Sequence, residues 1–324
     1  MTSRRRFVGA AAGCLLISSL HAIAQPATKI VRIGWLTPEV LEVHTRAFRE
    51  AMRALGYDEG KSYVIEARSA DDDIDRLSTL AAELVRANVD VIVAVGPPAI
   101  LAAKQATTSI PIVMAFWGGG GLLESGVVAN LARPGGNVTG VSMLATELDV
   151  KRLELLLQAV PKSRRVGVLD PGRGFSLTDV QSFADGAGVQ LVVASVGNGA
   201  EGYRLAFDAL ANARVEALLV PSHPRFFKDA RKIIELAASR KLPAIYEWPS
   251  MAEDGGLMAY GPTFAELEER VASFVQRILT GAKPAILAIE QPSKFELVLN
   301  AKTAKALGMT MPSSLLLRAD RVVQ

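Results

Sequence analysis

Trp117, Tyr246 and Trp248 each sit at the end of an apolar run of strand-like length. Aromatic rings there suit a flat or aromatic solute, which they hold by stacking, although each ring alone is equally well read as core packing. Arg173, in Asp170-Pro171-Gly172-Arg173-Gly174, carries the planar fork that clamps a carboxylate. His223 lies between Ser222 and Pro224 after another apolar run, where it meets an anion or simply faces solvent. Gly118 to Gly121 follow Trp117, and such a run either offers backbone N–H groups to a carboxylate or is a flexible loop. Thr37, Pro97 and Ser142 end or follow further apolar runs. Tyr260 precedes Gly261-Pro262, where its ring leans over a ligand or packs at a chain crossing. The candidate ligand-binding set is therefore Thr37, Pro97, Trp117, Gly118, Ser142, Asp170, Arg173, His223, Tyr246, Trp248 and Tyr260.

This set supports binding and offers no bond-making machinery. No phosphate-binding Gly-rich loop and no Gly-x-Ser-x-Gly elbow occurs. Cys14 is the one cysteine, and no histidine pair has metal-ligand spacing. Asp71-Asp72-Asp73 is better explained by helix capping and the helix dipole than by a cation site. Neither a metal nor a cofactor is expected.

The elements that must position these residues follow from periodicity. Ile30 to Leu36, Tyr63 to Ala67, Val89 to Val95 and Ile110 to Phe116 read as buried strands. Thr45 to Leu55, Asp75 to Ala87 and Ala99 to Thr107 read as the helices between them. After a connection near Asn137 to Thr146 the alternation restarts. Strands are expected over Arg165 to Leu169, Gln190 to Val196, Val215 to Val220 and Ala244 to Trp248. Helices are expected over Arg152 to Val160, Ser176 to Gly186, Ala200 to Ala211 and Phe226 to Ser239. The fold class is α/β: two Rossmann-like lobes with parallel sheets. A helix at Phe264 to Thr280 and a segment at Phe295 to Leu307 remain. If they return to the first and second lobes, the chain crosses three times and forms a three-strand hinge. The lobes are then 27–143 with 262–289, and 144–261 with 290–324. Ligands of parallel sheets sit beyond the carboxyl ends of the strands, so the candidate residues would line a cleft between lobes.

The first 24 residues read as a signal peptide cleaved after Ala24. The apolar run from Phe7 to Leu20 is shorter than the roughly 20 residues of a membrane span. Arg4-Arg5-Arg6 fits the general export route and also the twin-arginine route. A lipid-modified Cys14 is the weaker alternative, because cleavage there would leave Leu15-Leu16-Ile17 on the product. The remaining chain of about 300 residues is near the size at which one core becomes two. It holds equal numbers of acidic and basic residues and no basic run, which argues against a nucleic-acid partner.

The carboxyl-terminal third carries Tyr260-Gly261-Pro262, Gly281-Ala282-Lys283-Pro284, Glu290-Gln291-Pro292, Phe295-Glu296-Leu297-Val298-Leu299-Asn300 and Leu315-Leu316-Leu317-Arg318-Ala319-Asp320. Earlier come Arg133-Pro134-Gly135-Gly136-Asn137-Val138-Thr139-Gly140 and Lys151-Arg152-Leu153-Glu154. In this order the strings resemble the ABC-transporter substrate-binding proteins of the TrpX-like family. The resemblance implies a type I periplasmic-binding fold, no catalysis and delivery of a small solute to an ABC permease; with the export segment, a monomeric receptor in the periplasm is expected. Members often carry an Asp-Pro pair after the fourth strand. Here Gly118-Gly119-Gly120-Gly121-Leu122-Leu123 stands instead, which places an amino-acid ligand behind another aromatic or carboxylated molecule. A sensor module feeding a membrane kinase, and an enzyme on the same scaffold, are the rival readings.

Overall fold

The structure is a computed structural model. It describes residues 30–324 apart from 40, 41, 72, 119, 120, 144, 173–175 and 198. The amino-terminal export segment, Arg173, Gly119 and Gly120 thus lie outside the described residues.

The first α/β set is β1 (Val31–Thr37), α1 (Glu42–Ala54), β2 (Tyr63–Ser69), α2 (Leu77–Arg86), β3 (Val91–Val95), α3 (Gly96–Ala106), β4 (Ile112–Trp117) and β5 (Val138–Ser142). Its strands form one parallel sheet in the order β2-β1-β3-β4-β5. The second set is α4 (Ala145–Ala159), β6 (Arg165–Asp170), α5 (Thr178–Gly186), β7 (Gln190–Ser195), α6 (Gly199–Asn212), β8 (Ala217–Leu219), α7 (Pro224–Lys228), α8 (Ala230–Ser239), β9 (Ala244–Tyr246), α9 (Pro249–Glu253) and β10 (Met258–Gly261). Then come α10 (Phe264–Leu279), β11 (Glu296–Asn300), α11 (Ala301–Ala306), α12 (Ser313–Leu316) and β12 (Arg321–Val323). The second sheet runs β12-β11-β10-β9-β8-β6-β7.

Strands β3, β4, β5, β8 and β9 are buried on both faces, and alternation assigns each residue to one of them. Val91, Val93 and Val95 face one core, and Ile92 and Ala94 face another. The first of these cores continues through both lobes. It joins Trp35, Phe48 and Phe116 to Tyr203, Tyr246, Trp248 and Phe264.

Three findings refine the expected architecture. Val138–Ser142 is the edge strand of the first sheet, not a crossing. Asn137 anchors it: its side-chain amide donates to the carbonyls of Thr107 and Ile110 and its oxygen accepts from Lys104. Gly140 at φ +132° lies so close to β4 that a Cβ would collide with the Met114 backbone. The helix expected over Phe226 to Ser239 begins at Pro224 and breaks at Asp229. Finally, β11 runs antiparallel to β10, so the second sheet is parallel except at this pair.

The chain does cross three times. It leaves the first sheet after β5 and the second after β10. α10 then packs on α1, β4 and β5, and the chain returns through Glu290–Lys294 to β11. Along the last crossing Glu290 pairs with Arg270 and Arg277, while Glu266 accepts the backbone N–H groups of Ser293 and Lys294. No helix of the described residues is long and apolar enough to span a membrane.

Candidate functional site

The carboxyl ends of β1 and β4 meet those of β8 and β9 where the two sheets approach. Lys228, at the end of α7, reaches Glu39 beyond β1 at 3.2 Å. Trp248, just past β9, stacks on Phe264 at the start of α10, with centroids 4.0 Å apart and planes 9° apart. Phe227 meets both rings edge-on. Phe264 also touches His44, which stacks on Phe116 at the end of β4. An aromatic wall therefore runs from the second sheet to the first.

Of the three rings expected along the cleft, only Trp248 belongs to this wall. Trp117 packs on the opposite face with Leu122, Val127 and Val128. The reason is a register shift between Met114 and Trp117: Ala115 and Phe116 both face the shared core, which turns Trp117 away. Tyr246 is enclosed between Ile234, Ala237, Leu242 and Gly256, inside the second lobe. It shares a face with Trp248 but lies two residues deeper.

The remaining candidates are scattered along the strand ends. The Thr37 hydroxyl bonds the backbone of Glu39 at both N–H and C=O, a local turn. Pro97 stands in the first turn of α3, whose N-cap residue Val95 supplies no side-chain cap. Gly118 is half-buried beside the Phe116 ring. Ser142 is buried, and its N–H donates to the Glu290 carbonyl. The Thr139 hydroxyl, on the same strand, donates to the Leu287 carbonyl. Asp170 accepts from the Gly172 N–H at 2.8 Å and the Ser195 hydroxyl at 2.9 Å. His223 caps α7 by accepting the Arg225 N–H on Nδ1. Burial, aided by Arg225, pushes its pKa down to about 4. The ring is neutral at pH 7 and gives an anion no cation to bind. Tyr260 lies 6.0 Å from Phe295, with its carbonyl bonded to Arg152. Asp73 makes no side-chain cap bond, and Asp71 pairs with Arg76, so neither caps the helix. Among the described residues no group of three or more His, Cys, Asp or Glu is placed to hold a metal ion.

Periodicity alone did not single out a second cluster, which lies behind Trp248. Glu247 points to the opposite face of β9, toward α4. There Arg152, fully buried, donates from Nε and Nη2 to Asp149 at 3.1 and 2.7 Å. Its Nη1 donates to the Tyr260 carbonyl at 2.9 Å. Asp149 also accepts the Ser222 N–H, and the Ser222 hydroxyl donates to Glu247. Burial pushes Glu247 up to about 7, against the pull of Arg152 and Ser222. Asp149 is raised for the same reason. A further buried pair, His44 with Glu268 at 2.5 Å, joins α1 to α10. The sequence signals for these were slight: Glu247 sat within an expected strand between two candidate aromatic residues, and Arg152 within a motif of no assigned role.

Glu247 links stability to pH. Its folded pKa, about 7, exceeds the ordinary 4.5, so the carboxyl's contribution is full below 4.5 and lost as pH rises through 7. Glu247→Gln is therefore expected to be more stable to urea than the parent at pH 8, by on the order of 3 kcal/mol, and equally stable near pH 4.5. A variant less stable than the parent at pH 8 would show that the buried carboxylate is not the burden described.

Two mostly parallel α/β lobes, joined by three crossings and meeting through their strand ends, define a cleft-type binding protein of the type I periplasmic-binding fold. A family model for ABC transporter substrate binding proteins matches residues 36–323, and the chain belongs to that family. A tyrosine-binding protein of Clostridioides difficile (strain R20291) is 25% identical over 273 residues, covering 83% of this chain and 77% of its own. The solved ABC domain from Streptococcus pneumonia in complex with L-Trp has a TM-score of 0.81 at 25% identity, covering 91% of this chain and all of its own. A conserved domain protein from Vibrio cholerae gives the same values.

Proposed function

We propose that this chain is the exported solute receptor of an ABC importer and that it closes over an aromatic amino acid. The observation that carries this reading is the aromatic wall of Phe116, His44, Phe264, Trp248 and Phe227, which runs across the junction of the lobes. An aromatic side chain lying along it gains stacking and burial from both lobes only when they are closed. Pro97 and Pro98 carry no N–H, so at the uncapped start of α3 the Gly96 N–H, with the helix dipole behind it, receives the ligand carboxylate. The ligands of the pneumococcal and clostridial relatives support the same class. The missing acid after β4 weighs less than it did in the sequence, because Asp170 and Glu247 bring carboxylates to the second lobe's strand ends. The lobes part near 143, 261 and 290. Cleavage after Ala24 releases the receptor to the periplasm, and the closed form docks on a permease in the inner membrane.

Thermal melts with the twenty L-amino acids and their deaminated aromatic acids test this. L-Tryptophan, L-tyrosine or L-phenylalanine should raise the transition, by about 2.7 kcal/mol of stabilisation at a hundredfold excess over Kd. A shift with an aliphatic or non-amino solute alone would overturn the assignment.

A further inference from the structure

The carboxylates of the two lobes differ in how they are compensated. Asp149 takes two guanidinium donors from Arg152, Glu39 pairs with Lys228, and Glu268 pairs with His44. Asp170 takes one donor on each oxygen. Glu247 is buried as deeply as Asp149 yet makes no ion pair among the described residues, and a neutral hydroxyl, Ser222, donates to it. Arg152, the nearby cation, is spent on Asp149 and the Tyr260 carbonyl. The cluster thus holds two carboxylates against one guanidinium. A buried carboxylate without a cation is unfavourable, and an arriving ammonium relieves it. Its position agrees: Glu247 lies just past the end of β9 and is bonded to Ser222 beyond β8, at the strand ends where ligands of parallel sheets sit.

We propose that Glu247 is the acceptor for a ligand ammonium group and sets the preference for amines over their deaminated analogues. This rests on the aromatic amino-acid reading above. Ser222 orients the carboxylate, and Arg152 keeps Asp149 from competing for the same cation. Raised proton affinity at Glu247, caused by burial, is the expected companion of such a site.

The test is titration calorimetry of the mature protein and its Glu247→Gln variant with L-tryptophan, indole-3-propionate (no amine) and tryptamine (no carboxylate). The parent should prefer L-tryptophan to indole-3-propionate. The variant should lose about 10–100-fold for L-tryptophan and for tryptamine, the span expected for a charged hydrogen bond, and hold indole-3-propionate unchanged. Glu247→Asp should keep part of the preference, with its melting curve reporting the fold. Equal weakening of all three ligands would mean a structural role, and unchanged L-tryptophan binding would mean no role; either overturns the proposal. If the parent binds none of the three, the aromatic amino-acid reading falls, and this assignment with it. If the parent binds L-tryptophan while the variant keeps its preference, only the Glu247 assignment falls.

Discussion

Replacing Arg152 by methionine is expected to destabilise the protein by about 3–5 kcal/mol, the range for removing one partner of a buried ion pair. Arg152 has no solvent exposure, and its guanidinium binds both Asp149 and the Tyr260 carbonyl. Methionine keeps much of the apolar stem, so packing is spared. What remains is a buried Asp149 whose surviving partner is the Ser222 N–H, and a Tyr260 carbonyl without its donor. The second crossing follows Tyr260 by one residue, so α4 loses its tie to the hinge. Gly261 there is so tight that a Cβ would strike the Glu247 carbonyl, which leaves β10 little freedom to readjust. Calorimetric melting measures the loss. Adding Asp149→Asn to Arg152→Met should recover part of it, because the stranded charge is then gone. A single variant within about 1 kcal/mol of the parent would contradict this account of the cluster.

Trp248→Ala should affect both stability and binding. The side chain is 4% exposed and lies flat on Phe264 while Phe227 abuts both rings. Truncation of a buried tryptophan costs about 3–5 kcal/mol through lost burial and the cavity left behind. The same truncation removes the larger of the second lobe's two rings from the aromatic wall, leaving Phe227, so affinity for L-tryptophan should fall by about tenfold, as for lost aromatic stacking. Trp248→Phe keeps a ring over Phe264 and should retain most of both. Chemical denaturation gives the first quantity and calorimetric titration the second. If Trp248→Ala lost stability but kept full affinity, Trp248 would be a packing residue and the ligand would lie elsewhere.

Strand and helix identity was legible wherever the pattern was long and regular. The largely β-branched run from Val89 to Val95 and the amphipathic stretch ending at Leu55 fall within a few residues of β3 and α1. Short or interrupted elements were not legible. β5 contains Thr139-Gly140 and reads as a turn, and β10 has four residues against a Gly-rich approach. Their strand character comes from neighbours distant in sequence: Met114 beside Gly140, and Leu297 and Val298 beside Tyr260 and Ala259.

By itself the sequence determined the α/β class, two lobes and their order, because hydrophobic periodicity is local and each buried strand imposes it. It also pointed to the carboxyl ends of the strands as the ligand side, since that is where ligands of open parallel sheets sit. Only the tertiary structure decided which side chains reach that junction. One register shift in β4 turns Trp117 away and brings Phe116 in. Two residues of depth separate Tyr246, in the core, from Trp248, on the wall. The Arg152, Asp149 and Glu247 cluster exists only because the first crossing lays α4 against β9. Side-chain direction in a strand alternates with every residue, so a shift of one position reverses it, and composition and spacing carry no record of such shifts.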